Sequence, residues 1–370
     1  MTVLEGGKIS GRQFMAVLIV LRIVPVTLVF SLISNINHVQ DVWIAVIIGA
    51  VITIPFAVLV TKLSLRFPGK TIIEYSQILL GPVVGRLLGL VILWCFLCTS
   101  IDITRVLGEG YVIAIMPETP ILAFMVMLAF MSSYAARSGL EVTCRLGEDV
   151  VYILVFVLLL TYVLPYNAMR FENLRPVLAW GVSNLVPPVI SDLGFYSQFL
   201  MIGMLVLYLN RPEVATKYAI YAVLISSGLM ALAAVVLVAV FGPTANSWTL
   251  PLYSLSRMIS LGEFFERIEV AVMAAWTLST GIKLALFLWA ASIAIAQLFN
   301  LRAFEHLVYP LGAVIVASGL FFFNSMVDLE DFLAKAGAVS SILVAGVTLT
   351  LLYAALGIRT LIRRRKGGSG

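Results

Sequence analysis

Charge is scarce in this sequence. Only 12% of its 370 residues are Asp, Glu, Lys or Arg, whereas 61% are apolar and the mean hydropathy is +1.07. A soluble globular chain carries about 25% charged residues, so this chain lacks the charge to cover a water-exposed particle of its size. The scarcity excludes an ordinary cytosolic enzyme, a disordered chain and a nucleic-acid-binding protein. We therefore expect a polytopic membrane protein surrounded by the lipid bilayer.

Histidine and cysteine are also rare. Two His and three Cys are too few for a disulfide framework or a His/Cys metal site. No Ser/His/Asp set, phosphate-binding loop or HExxH pattern occurs, and both His residues lie at the ends of apolar runs. We therefore predict that the protein is not an enzyme and uses no metal or cofactor.

Long apolar runs are what the sequence has in abundance. A helix needs about 20 apolar residues to cross the hydrocarbon core of a bilayer. The sequence contains ten such runs, one of them short. They are Gly11–Ser34, Val42–Leu65, Val84–Gly108, Pro120–Tyr134, Val142–Leu164, Ser183–Leu209, Tyr218–Phe241, Ile268–Phe299, Phe304–Asn324 and Ala336–Leu356. Two further short helices are predicted on the membrane surface, over Ile72–Leu79 and within Gly242–Glu266.

The basic residues predict how these spans are oriented. With the N terminus in the cytoplasm, sixteen of the 24 Lys and Arg residues fall in cytoplasmic segments, five in outer segments and three within spans. Cytoplasmic segments of membrane proteins carry such an excess of Lys and Arg. Both termini are therefore predicted to be cytoplasmic. The net charge of +5 is mainly a signal of topology.

The ten spans divide into two sets of five within one transmembrane domain, 1–366. The sets cover about 11–165 and about 183–357, and Gly367–Gly370 is typical of an added linker. Because five is odd, the second set begins on the opposite side of the membrane. Inverted repeats of this kind occur in many secondary transporters, in which the first helix of each repeat is broken near the midplane. Proline removes a helical donor, so breaks are predicted at Arg22–Thr27 and Pro187–Gly194.

Two charges lie beside these predicted breaks. Arg22 in span one and Asp192 in span six are each about 15 Å deep, at 1.5 Å per helical residue. A lone charge at that depth costs at least about 2.5–3.5 kcal/mol, so each requires a partner or water. Either the two side chains face one central cavity, or they form a structural ion pair. The neighbouring candidates for ligand binding are Pro25, Thr27, Gly194 and Tyr196, with Trp276 of span eight.

Other charges lie within or at the ends of spans. Asp102, Arg105 and Glu109 share one face of span three, where they either line a vestibule or neutralise each other. Lys283 in span eight is either a proton carrier or a fixed replacement for a bound cation, or its amine extends to the membrane surface. Two further candidates for coupling or gating are the Glu141–Arg145 pair, otherwise a helix-start ion pair, and Glu269 at the outer end of span eight.

The chain resembles the integral-membrane B subunit of the GerA-type germinant receptors, the spore germination permeases of the amino acid–polyamine–organocation superfamily. The resemblance runs nearly from end to end and rests on the order and spacing of modest motifs. These are Lys8–Gln13, Asp41–Ile44, Phe67–Tyr75, Thr104-Arg105, Thr119-Pro120, Ala136–Glu141 with Arg145, Asn173–Leu178 with Gly181, and Glu266–Glu269 with Trp276.

The resemblance implies a LeuT-like fold, a location in the inner spore membrane and assembly with receptor subunits A and C. It implies that the chain senses a small nutrient, typically an amino acid, and signals germination. The family commonly has a glycine-containing break in span one, whereas this sequence has Arg22-Ile23-Val24-Pro25-Val26-Thr27. Arg22 therefore either replaces backbone amides in binding an anionic group or blocks such binding.

Three functions follow as hypotheses. In the first, the protein is a sensor in which Arg22 binds the anionic end and Asp192 the cationic end of a small zwitterion, between Tyr196 and Trp276. In the second, it is an amino-acid symporter driven by protons or sodium, coupled through Lys283 or Asp192. In the third, it is a structural membrane subunit whose centre is filled by its own side chains.

Overall fold

The computed structural model describes residues 5–23, 38–259 and 268–367, with side chains as far as residue 362. The described chain is helical throughout, apart from loops and one isolated parallel bridge between Ile9 and Leu209. The main helices are α1 (Gly11–Ile23), α2 (Val42–Leu65), α3 (Ile72–Leu80), α4 (Pro82–Ala114), α5 (Ile121–Arg137), α6 (Leu140–Val163), α7 (Val186–Tyr196), α8 (Ala215–Phe241), α9 (Pro251–Arg257), α10 (Ile268–Leu298), α11 (Glu305–Phe322), α12 (Met326–Phe332) and α13 (Ala338–Gly367).

The apolar runs do form the long helices that they predict. Within the described residues, eight helices are long and apolar enough to cross a membrane, and α5 is a shorter apolar helix. The protein is therefore an all-α, multi-pass membrane protein. Predicted span two coincides with α2 at both ends. The total of ten spans stays a prediction, because residues 24–34 of predicted span one lie outside the described chain.

Local capping explains where two helices begin. Ser10 caps the start of α1 by a reciprocal pair of hydrogen bonds with Gln13 in the first turn. The Ser10 amide donates to the Gln13 side chain, and the Gln13 amide donates to Ser10 Oγ at 3.1 Å. Thr71 and Glu74 form the same reciprocal arrangement at α3, which confirms the helix predicted there. Such capping boxes satisfy amide donors that have no partner within the helix.

The second predicted surface helix, within Gly242–Glu266, is present as α9. Residues 260–266 of that prediction are outside the described chain.

The contacts between helix ends define two sides of the bundle. On the basal side, Ile9 pairs with the chain at Leu209, and Thr71 Oγ1 of the α3 cap donates to Gln297 at the end of α10, at 2.6 Å. On the distal side, Asp41 Oδ1 accepts a hydrogen bond from the Leu178 amide at 3.0 Å. These two names are used below without assigning either side to the cytoplasm.

The sixth span is broken, but not where the prolines predict. Pro187 and Pro188 lie in the first turn of α7, where no intrahelical donor is needed, so the helix continues through Asp192 and Gly194 to Tyr196. It then changes to 3₁₀ geometry over Ser197–Met201. The prediction of a break at Pro187–Gly194 is therefore wrong in position. Of the predicted break in span one, Arg22–Thr27, only Arg22 and Ile23 lie within the described residues, so this break stays a prediction.

Helices α1 and α10 occupy the centre of the bundle. Most residues of both helices are buried, whereas α11 and α13 expose large apolar side chains at the periphery. Helix α1 packs against α6, α8 and α10, and α7 packs against α2 and α13. This arrangement brings the charged residues of spans one, three, six and eight into the interior.

Candidate functional site

Two charges from opposite halves of the sequence meet in the core. Nη2 of Arg22, near the last described residue of α1, donates a hydrogen bond to Oδ1 of Asp192 in α7. Both side chains are 0% exposed. The guanidinium of Arg22 also lies over the ring of Tyr196, with Cζ 4.4 Å from the ring centroid. The Tyr196 hydroxyl is hydrogen-bonded to Ser227 of α8, so four groups from three helices form one site.

This ion pair leaves hydrogen-bonding capacity unused. Nε and Nη1 of Arg22 and Oδ2 of Asp192 are buried without a hydrogen-bond partner among the described residues. The same is true of Trp276 Nε1 and Thr280 Oγ1, which lie one turn apart on α10. An unsatisfied buried donor or acceptor costs about 1–3 kcal/mol, and more when it is charged. Water or a small polar ligand that binds at these atoms would remove that cost.

Two further charged residues lie within electrostatic range of the first pair. Lys283 of α10 is 3% exposed and interacts electrostatically with both Arg22 and Asp102 of α4. Asp192, Arg22, Lys283 and Asp102 therefore form a group of two acidic and two basic residues, formally neutral when all four are ionised, which we call the central charge cluster. The alternative in which Lys283 extends to the membrane surface is wrong, because its side chain is buried.

Arg105 forms its ion pair with Glu109 and not with Asp102. Its Nη2 lies 2.6 Å from Glu109 Oε1, and its Nη1 donates to the Gly319 carbonyl of α11 at 3.2 Å. The predicted shared face of span three is thus divided between two sets of partners. Arg105 and Glu109 neutralise each other and connect α4 to α11, whereas Asp102 faces Lys283.

The position of the Asp192 carboxylate requires a glycine at residue 49 of α2, a requirement that the sequence did not predict. A Cβ atom at residue 49 would overlap Oδ2 of Asp192, so only glycine leaves room for the carboxylate. The available signal was a lone glycine within the apolar span Val42–Leu65. That signal does not reveal which side chain approaches, because Asp192 lies more than 100 residues away in the sequence.

The other predicted ligand residues have separate surroundings. Trp276 is buried against Gly110 and stacks with Tyr111, the ring centroids being 6.4 Å apart. Gly194 faces the tenth predicted span: a Cβ there would lie 2.6 Å from Ala338 Cα. Gly194 therefore allows close packing against α13, and its part in ligand binding stays a prediction. Pro25 and Thr27 lie outside the described residues.

The predicted gating residues lie at helix ends. Arg145 and Glu141 form an ion pair with side chains 67% and 38% exposed, at the start of α6. This geometry is that of the predicted helix-start ion pair, and exposed pairs of this kind contribute only about 0–1 kcal/mol to stability. A role of the pair as an inner gate stays a prediction. Glu269 is half-buried in the first turn of α10, and its role in coupling stays a prediction.

An N-terminal segment whose contacts the sequence did not predict lies across the basal side. In this N-terminal strap, Glu5–Ser10, the carboxylate of Glu5 accepts hydrogen bonds from the Leu140 amide at 3.1 Å and from Trp289 Nε1 at 3.3 Å. A carboxylate is favoured at a helix N-terminus, here that of α6. Ile9 donates to the Tyr208 carbonyl at 2.9 Å. The strap thus connects the basal ends of α6, α10 and the sixth span.

The strap gives a prediction that uses the native cysteines. Cys144 is buried one turn into α6 and interacts electrostatically with Glu5. In a Cys95→Ser/Cys98→Ser background, Glu5→Ala is expected to raise the rate of maleimide labelling of Cys144 on the order of tenfold, because charge-assisted hydrogen bonds worth about 1.5–3 kcal/mol are lost. Glu141→Ala, which removes a surface pair, is the matched control. Equal labelling rates in the two variants would refute a closing role for the strap.

The described helices form an all-helical membrane bundle of the LeuT-like fold. Three solved structures share this fold: a Na⁺-coupled sialic acid symporter (TM-score 0.69, 14% identity, 95% of this chain and 79% of that chain), MhsT in complex with L-phenylalanine (0.66, 10%, 95% and 99%) and the nucleobase-cation-symport transporter Mhp1 (0.65, 14%, 94% and 80%). At these identities the likeness establishes the fold alone.

The chain belongs to the spore germination protein family of spore permeases, whose model matches residues 8–326. Among its relatives from Bacillus subtilis (strain 168), spore germination protein KB is 26% identical over 84% of this chain and 83% of its own length. Spore germination protein YndE is 26% identical over 70% of this chain and 72% of its own length. Family and fold together confirm the predicted resemblance and show that the protein is not an enzyme.

Proposed function

We propose that this protein is the germinant-sensing membrane subunit of a spore nutrient receptor, which binds a small zwitterionic nutrient at the Arg22–Asp192 pair. The observation that carries the proposal is the buried pair itself, which joins span one to span six and leaves donors and an acceptor unsatisfied. In a transporter-like fold, ligands bind between these two spans. Membership of the spore germination family supports germination as the output.

The chemistry of the pair favours an amino acid as the ligand. Among the described residues, Nε and Nη1 of Arg22 have no acceptor and Oδ2 of Asp192 has no donor, so the nitrogens suit a carboxylate and the oxygen suits an ammonium group. A zwitterion therefore adds one charge of each sign to a cluster that is already neutral. Tyr196, whose ring lies against the Arg22 guanidinium, offers an aromatic face for an apolar side chain. Trp276, which packs against Tyr111, remains a candidate for the opposite wall. Pro25 and Thr27 remain candidates for the same site.

Binding would act as a signal by shifting a conformational equilibrium. A ligand shifts such an equilibrium only by its difference in affinity for the two states. The ion pair is closed here, so a ligand that inserts between Arg22 and Asp192 separates α1 from α7. We propose that receptor subunits A and C detect this separation, with both termini of the chain on the cytoplasmic side of the inner spore membrane.

Coupled transport is the second candidate function, and one observation favours it. Lys283 is buried within electrostatic range of Arg22 and Asp102, so a proton that leaves the lysine would change the charge of the whole cluster. In that mechanism the ligand crosses the membrane, whereas a sensor binds it without net movement. The two functions therefore differ in flux and not in the position of the site.

Reconstitution distinguishes sensing from transport. Purified protein in proteoliposomes is tested with each of the twenty radiolabelled amino acids, with and without an imposed proton or sodium gradient. We expect saturable binding of at least one amino acid without accumulation in the vesicles. Accumulation that follows the gradient and is abolished by Lys283→Met would establish transport instead. Arg359→Met, at an exposed position of α13, is the control for loss of a positive charge.

A further inference from the structure

A groove in the membrane-facing surface lies between α5 and α11, on a part of the bundle remote from α1 and α7. It encloses about 400 Å³ and is lined almost entirely by apolar side chains of the two helices. Its walls include Phe130 and Phe321, which are 60% and 84% exposed. No residue of the proposed ligand site lines this groove.

Small residues create the groove. Gly312 of α11 lies against Ser133 of α5, since a Cβ on the glycine would come 2.6 Å from the serine hydroxyl. The two helices therefore meet closely at this point. Ala313 and Ala317 line the groove next to this contact and are exposed, so they leave open the space that larger side chains would fill.

A positive charge lies at the basal end of the groove. Arg137 is the last residue of α5, and its Cζ is 5.6 Å from the ring centroid of Tyr309, which lines the groove. Arg137 is exposed, and none of the ion pairs among the described residues includes it. The groove thus combines an apolar channel with an unneutralised guanidinium at one end.

We propose that this groove binds an anionic phospholipid of the basal leaflet, with one acyl chain along the groove and the phosphate at Arg137. The lining residues Leu122 to Ser133 extend over about 16 Å of helix at 1.5 Å per residue. That length matches one leaflet, about half of a 30 Å hydrocarbon core. Basic side chains between transmembrane helices are a known means of binding anionic headgroups.

The shape and chemistry of the groove favour a lipid over a helix of a partner protein. The groove is narrow, runs along the contact between α5 and α11, and is lined by small and apolar side chains. An acyl chain is far narrower than a helix, which is at least about 10 Å in diameter. The guanidinium at the end of the groove adds a preference for a negatively charged headgroup.

The proposal is tested by lipid retention of the purified full-length protein. Native mass spectrometry is applied after exchange into detergent with equimolar phosphatidylglycerol and phosphatidylcholine. We expect wild type to retain phosphatidylglycerol in preference, and Arg137→Gln to lose that preference by about fivefold. Ala317→Phe, which fills the groove, is expected to abolish retention of both lipids. Ala313→Leu is a second, smaller filling variant for use if Ala317→Phe does not fold.

Two matched control variants, one on α11 and one on α13, accompany these measurements. Val314→Phe adds the same ring at an exposed position of α11 that does not line the groove, and Arg359→Gln removes an exposed arginine elsewhere. Both should retain phosphatidylglycerol like wild type. Undiminished retention in Ala317→Phe and Ala313→Leu would overturn the proposal. So would variants that keep the lipid but lose binding to a receptor partner, since the groove would then be a protein interface.

Discussion

Asp192→Asn is expected to destabilise the folded protein by about 3–5 kcal/mol, because it leaves the buried Arg22 guanidinium without its counter-ion. Arg22→Met should have an effect of similar size, since it leaves the Asp192 carboxylate buried and unpaired. Both side chains are fully buried, so neither charge that remains is solvated by bulk water. The measurement is the free energy of unfolding in detergent for wild type and each variant.

The double variant Arg22→Met/Asp192→Asn separates pairing from packing. Removing both charges also removes the penalty of an uncompensated charge, so the double variant should be much more stable than either single variant. Such non-additivity identifies directly interacting residues. The exposed Glu141–Arg145 pair is the control, and its neutralisation should cost no more than about 1 kcal/mol. If Asp192→Asn costs as little as that control, the two charges are not paired in the interior.

Gly49→Ala is the second variant with a large expected effect. The added Cβ would occupy the position of Asp192 Oδ2, so either the carboxylate moves away from Arg22 or α2 moves away from α7. We expect a loss of about 1–3 kcal/mol in the free energy of unfolding, the usual cost of overpacking. The displaced carboxylate should also weaken ligand binding, which a stability change remote from the site would not do.

Gly228→Ala is the matched control for this substitution. Gly228 lies within α8, and a Cβ there would meet nothing within 4 Å. In a helix interior, alanine is favoured over glycine by about 1 kcal/mol, so this variant should be as stable as wild type or more stable. Both variants are measured by unfolding in detergent. Equal stability and equal ligand binding of Gly49→Ala and Gly228→Ala would contradict the close approach of Asp192 to α2.

The architecture was largely predictable from the sequence because lipid imposes a simple rule. Every spanning segment must be long and apolar, and for this reason predicted span two matches α2 at both ends. The pairing of Arg22 with Asp192 was one of two predicted arrangements, since a charge in the hydrocarbon core needs a partner. The position of the break in span six was not predictable. Proline in a first turn and proline in a helix interior look alike until the helix start is known.

The remaining parts of the site depend on contacts between distant segments. Glu5 lies in a short polar stretch with no periodicity, yet it meets Leu140 and Trp289. Lys283 has Asp102 as its partner only because α10 packs against α4. Local sequence gives the types of these residues but not their neighbours. Only the three-dimensional structure shows that the separate charges of four spans lie together in the central charge cluster.

The central claim is that a nutrient binds at the Arg22–Asp192 pair. Its most direct test is the thermal stability of purified wild type and of Arg22→Met/Asp192→Asn, each measured with and without the amino acid that wild type binds in the proteoliposome screen. We expect the ligand to raise the melting temperature of wild type and to leave that of the double variant, which is folded but lacks both charges, unchanged. An equal rise in both proteins would contradict the claim, because the ligand would then bind without the pair.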